Sequence, residues 1–167
     1  MKATLSLCLA ILAFAIGHSI NAQSSDKDTL IKAAQILEVD PFNSKADDFR
    51  KWAMSYIIKT DDVEILVCTS AITPLIEKKY KYANEMLAQY SIGMAAFKLS
   101  NPANKDDNAA QIGGIESALK AYQSMVKAKP KAQYGAIDEL MAKRDKGELK
   151  AVVEAAKCGD GKKEPIN

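Results

Sequence analysis

Apolar residues recur along this chain mostly at intervals of three and four, the spacing of one face of a helix. No segment shows sustained alternation of Val, Ile and Thr. Ala, Leu, Lys, Glu, Gln and Met dominate instead, and all are good helix formers. The pattern predicts an all-α protein of about seven helices in antiparallel hairpins, closed as a compact bundle or stacked as a superhelix.

The first helix is expected from Asp28 to Glu38, with Leu30, Ala33, Ala34 and Leu37 on one face and Asp40-Pro41 as its stop. Ser44, with Asp47 three residues on, suggests the N-terminus of a second helix carrying Phe49, Trp52, Ala53, Tyr56 and Ile57. A third is expected from Thr60 or Asp61, with Val63, Leu66, Val67 and Ala71 on its face and Cys68 inside it. Thr73-Pro74 either starts a new helix or kinks that one.

The clearest stripe follows: Ala83, Leu87, Tyr90, Met94 and Phe97. A second is Ile112, Ile115, Leu119, Tyr122 and Val126. The polar loop Ser100 to Asn108 joins them, which predicts an antiparallel pair. Its Asp106, Asp107 and Asn108 lack the glycine and glutamate of an EF-hand and read as a solvated loop with a helix N-cap. Lys129-Pro130 breaks the next boundary. Tyr134, Ile137 and Met141 mark one more helix. Asp145 with Glu148 then resembles a capping box for a last helix bearing Leu149, Val152, Val153 and Ala156, closed by Cys158-Gly159.

Residues 1 to 22 change the chemistry available. Lys2 followed by the apolar run Leu5 to Ile16 reads as a secretory signal, with cleavage expected after Ala22. The run is short of the roughly 20 apolar residues a membrane span needs, so a retained anchor is the weaker reading. Cys8 precedes most of the apolar run and is treated as an ordinary signal residue, lipidation being the alternative. This leaves one helical domain over 23–159 and a loose tail over 160–167, with no further membrane-spanning segment.

His18, the single histidine, leaves with the signal. Without imidazole, Ser-His-Asp and Cys-His catalysis, His-ligated zinc and haem attachment are all excluded. No pair of carboxylates, phosphate loop or Ser-x-x-Lys arrangement replaces them. The reading is therefore a non-enzyme without metal or cofactor. Cys68 and Cys158 remain, and in an oxidising compartment an even pair reads first as a disulfide, with two buried thiols as the alternative. A hydrophobic share of 48% with a net charge of +2 excludes a disordered chain and argues against a nucleic-acid binder.

Lys78, Lys79, Tyr80, Lys81 and Tyr82 form the one basic-aromatic cluster. It is a candidate binding site for an anionic partner, or simply the cationic end of a helix.

Residues 118 to 130, ALKAYQSMVKAKP, resemble the second helix of a tetratricopeptide repeat, with Ala118, Tyr122 and Pro130 in the places of the small residue, the aromatic and the closing proline. Ile92-Gly93 resembles the Leu-Gly pair of a first helix. Gln89 and Ala96 stand where aromatics are expected, with Tyr90 and Phe97 each one place off, and the interval from Gly93 to Ala118 is about twice the family's. About one repeat is covered. The resemblance implies a helical hairpin packed through Tyr90, Gly93, Phe97, Ala118 and Tyr122, with Ala118 at the closest approach. It also implies recognition of an extended or helical peptide.

Two functions follow as expectations. One is an exported, periplasmic or secreted, non-catalytic adaptor of the cell envelope that binds a protein or peptide. The other is a carrier of a small apolar ligand held near Trp52, Tyr56, Met86, Tyr90 and Met94.

Overall fold

The computed structural model describes residues 25–158. The expected signal segment, with Cys8 and His18, lies outside them, as do Gly159 and the tail from 160 to 167. Among the described residues there are seven α-helices, two short 3-10 turns and no strand. The helices are α1 (Asp26–Val39), α2 (Ala46–Lys59), α3 (Thr73–Ile76), α4 (Ala83–Ser100), α5 (Asp107–Ala128), α6 (Gly135–Asp145) and α7 (Leu149–Ala155). The expected all-α bundle is the fold.

α1 buries the four residues that its spacing selected, Leu30, Ala33, Ala34 and Leu37. It starts two residues earlier than expected. The Ser25 hydroxyl accepts from the Asp28 N–H at 3.2 Å, which satisfies one of the free donors of the first turn. α2 is not capped by Ser44 and Asp47. Lys45 stands at its start, and no side chain caps it. The Asn43 side chain instead ties the preceding turn, accepting from the Lys45 N–H at 2.9 Å and donating to the Asp40 carbonyl at 2.6 Å. Asp47 is taken up by Arg50 at 3.1 Å.

The expected third helix is replaced. Residues 63–68 have no helix; a 3-10 turn over Thr69–Ile72 and the four-residue α3 follow. Cys68 therefore sits at the end of an extended segment. The reason is local and tertiary together. Val63, Ile65 and Val67 are β-branched at alternate positions, which favours extended backbone. The carbonyls that a helix would pair internally find side chains elsewhere: Lys98 donates to Glu64 O at 3.0 Å and Gln111 to Leu66 O at 2.6 Å.

α4 is the centre of the molecule, packed against α5, α1, α2 and α3. Of its expected stripe, Tyr90 and Met94 are buried, while Ala83, Leu87 and Phe97 are partly buried against the same core. Met86, Tyr90 and Met94 face the larger core with α5, α6 and α7. Ile92 and Ala95 face a second core made with α1 and α2. Ile65, from the extended segment, packs against both. α4 and α5 run antiparallel: Gln89 meets Ser117, Gly93 meets Gly114, and Phe97 meets Gly113.

At the C-terminal side, the expected capping box does not form. Asp145 ends α6 and pairs with Arg144 at 2.8 Å, while Glu148 caps α7 with no side-chain bond. Gly147 makes the turn between them at φ +73°, a left-handed conformation that a Cβ disfavours.

Candidate functional site

The basic-aromatic cluster is built into the fold. Tyr80 is buried, and its hydroxyl donates to Ala132 O at 3.1 Å. Its ring stacks on Tyr134 at 4.9 Å and meets Tyr122 edge-on at 6.5 Å. Burial, above all, pushes its hydroxyl well above the usual tyrosine range. Lys79 pairs with Glu77 at 3.1 Å, and Tyr134 donates to the same carboxylate at 2.5 Å. The Tyr134 hydrogen bond, and then Lys79, hold the Glu77 carboxyl below its ordinary range. Tyr82 tilts against Phe42 at 5.3 Å, with Lys81 5.3 Å from the Tyr82 ring centre. Lys78 and Lys81 are exposed. The cluster thus welds the loop before α4 to the turn before α6.

The residues expected to pack the helix pair are placed as follows. Tyr90, Ala118 and Tyr122 are buried in the larger core, and Phe97 packs against its edge. Tyr122 donates to Asp138 at 2.6 Å and accepts from the Tyr134 N–H at 2.7 Å. Burial first, and the Asp138 bond second, push its hydroxyl up to about 12. In the α4–α5 contact, Gly93, Gly113 and Gly114 have no room for a Cβ. A Cβ on Gly93 would overlap Ser117, and one on Gly114 would lie 2.5 Å from Met94 Cγ and 2.8 Å from the Tyr90 carbonyl. The five residues proposed to surround an apolar ligand do not converge. Met86, Tyr90 and Met94 fill the larger core, whereas Trp52 and Tyr56 stack on each other at 5.6 Å beside the second.

Three polar residues that periodicity passes over organise the interior. Gln89 donates to Ala34 O at 3.2 Å and to the Ser117 hydroxyl at 2.8 Å, tying α1, α4 and α5 together. Gln111 accepts from the Tyr90 hydroxyl while donating to Leu66 O. Their signal in the sequence is a polar residue inside an otherwise apolar helical stretch, which demands a partner.

These bonds define the most unusual feature of the surface. In extended backbone, the N–H and C=O of successive residues point to opposite edges. Glu64 O, Leu66 O and Cys68 N all bond inward, to Lys98, Gln111 and the Tyr90 hydroxyl. The intervening Val63, Ile65 and Val67 make no backbone hydrogen bond among the described residues; Val63 is buried in the second core, Ile65 is half-buried and Val67 is exposed, so the part of this unpaired edge open to a partner lies at Ile65 and Val67. The segment is held at both ends. Asp62 accepts from Lys27 at 2.9 Å and from the Tyr56 hydroxyl at 2.8 Å. At the other end, Cys68 and Cys158 stand at disulfide distance, their Cα atoms 5.4 Å apart.

Beside this edge runs an open groove of about 500 Å³, walled by Met54, Ile57 and Ile58 of α2. Ile58 is 76% exposed, and Leu66 and Val67 are 36% and 37% exposed. Asp61 and Glu64 are the charged residues of its lining, and neither side chain has an ion pair among the described residues. A second open groove, of about 530 Å³, lies between α1, α4 and α5 over Gly93, Gly113 and Ser117, where Glu38 and Lys120 pair at 3.4 Å.

Among the described residues no group of three or more His, Cys, Asp or Glu side chains is placed to hold a metal ion, and no helix is long and apolar enough to cross a membrane. No protein family, curated protein or solved structure matches the chain.

Proposed function

We propose that this chain is an exported, non-catalytic helical protein that binds an extended polypeptide segment of another envelope protein. The observation that carries the reading is the unpaired main chain of Ile65 and Val67, beside an apolar groove into which the buried Val63 also leads. An incoming extended chain would pair with these groups by strand addition while its side chains enter the groove. Anchoring of the segment at Asp62 and Cys68 means that little ordering is left to oppose binding. The leader-like residues 1–22 and the two cysteines at disulfide distance support export. The α4–α5 hairpin, with its tetratricopeptide-like Ala118, Tyr122 and Pro130, serves as the scaffold behind the edge.

The test is amide NMR of the chain titrated with a synthetic alternating Val-Thr peptide. The Ile65 and Val67 amides should shift and gain protection from exchange. Val67→Pro, which removes one unpaired N–H, should weaken binding about fivefold, the worth of roughly 1 kcal/mol. Shifts confined to other surfaces would overturn the reading.

A further inference from the structure

If the Val63–Val67 edge is where a segment docks, its surroundings also define the chemistry of that segment. The charged groups lining the groove are two carboxylates, Asp61 and Glu64, with no cation among the lining residues. Glu64 also lines the adjoining groove, whose cations are Lys27, Lys98 and Lys105: Lys27 pairs with Asp62 at 2.9 Å, Lys98 with Asp107 at 2.7 Å and with the Glu64 carbonyl at 3.0 Å, and Lys105 has no ion pair among the described residues. Lys59 closes α2 and does not line the groove. Met54, Ile57, Ile58 and Val67 supply the apolar wall.

We infer that the site takes a basic, apolar-alternating polypeptide: an extended segment whose apolar side chains enter the groove and whose Lys or Arg side chains meet Asp61 and Glu64. A second copy of this chain fits poorly. Antiparallel pairing about Ile65 would set Asp61 opposite Thr69 and Glu64 opposite Leu66, so each copy would bring further carboxylates and no cation from residues 61–69 to the interface, which opposes association.

The experiment is calorimetric titration of the full chain with two synthetic peptides of equal length, alternating Val-Lys and alternating Val-Glu. Val-Lys should bind about tenfold or more tighter, and the preference should shrink with added salt. The double variant Asp61→Asn, Glu64→Gln should bind the two within about twofold, while keeping the amide shifts of the Val63–Val67 edge. Equal binding of both peptides to the unmodified chain would overturn the charge preference and leave the docking edge standing. Binding of neither would overturn both. Self-association through this edge in sedimentation would make a second copy the occupant and overturn the partner. Binding that emerges only after residues 159–167 are removed would likewise overturn it, by making Lys162 and Lys163 of the chain itself the competing cations.

Discussion

The Tyr90 hydroxyl on α4 donates to the side-chain carbonyl of Gln111 on α5, and the Tyr90 oxygen accepts the Cys68 N–H at 3.5 Å. Gln111 then donates onward to Leu66 O at 2.6 Å. One buried tyrosine–glutamine pair thereby joins the two longest helices and fixes the inner edge of the extended segment. Tyr90→Phe leaves a buried amide oxygen without its donor, and should cost about 1 to 3 kcal/mol in urea unfolding. Exchange of the Cys68 amide should speed up in the same variant. An unchanged unfolding midpoint would show that the pair contributes nothing net.

Gly114, in the α4–α5 contact, and Gly135, at the start of α6, carry opposite predictions. Gly114→Ala places a methyl 2.8 Å from the Tyr90 carbonyl, which is backbone and cannot swing aside. A loss of about 1 to 3 kcal/mol is expected. Gly135, in the first turn of α6, has nothing within 4 Å of a Cβ. Gly135→Ala should stabilise by about 0.4 to 1 kcal/mol by restricting the unfolded chain. Thermal unfolding of the two variants checks both signs.

Cys68 and Cys158 are 90 residues apart in sequence. Linking them restricts the unfolded chain by up to about 4 to 5 kcal/mol. The chain cleaved after Ala22 and purified without reductant should carry no titratable thiol when denatured, and Cys158→Ser should lower the urea midpoint accordingly. Two free thiols in that material would refute the link.

Alkaline pH should destabilise the fold. Burial holds the Tyr90 and Tyr122 hydroxyls up to about 12, and Tyr80 higher still. Unfolded, each loses its proton near pH 10. Between those limits the folded chain binds more protons than the unfolded one, so stability falls as pH rises above about 10. Tyrosinate absorbance for these three should emerge together with loss of helical circular dichroism, rather than before it.

Acid should act first on the extended segment. The Lys27 bond, followed by the Tyr56 hydroxyl, holds the Asp62 carboxyl below its ordinary range. The tie is fully present above the usual carboxylate pKa of about 4 and is lost as pH falls through the lower folded value. Amide protection of residues 60–68 should drop in that acid range. Asp62→Asn should show the lowered protection already at neutral pH.

The helices were legible wherever a helix has one buried face and a chemical stop. α1 declares itself by Leu30, Ala33, Ala34 and Leu37, and the end of α5 by Lys129-Pro130. For α4 the same logic reads the helix and one face but misses the second buried face, around Ile92 and Ala95, because Gly93 and Ser91 nearby leave no apolar stripe there.

Sequence alone determined the all-α class and the pairing of the α4 and α5 segments, since spacing and turn chemistry are local properties. Tertiary structure settled the fate of residues 63–68, where local propensity leaned to extended backbone without excluding a helix. Their apolar residues fit a helical face about as well as an alternating one. Side chains 22 to 45 residues away, Tyr90, Lys98 and Gln111, bond the extended form along one edge. The open edge on the other side, and the candidate site with it, exists because those partners lie on helices that only the folded chain brings together.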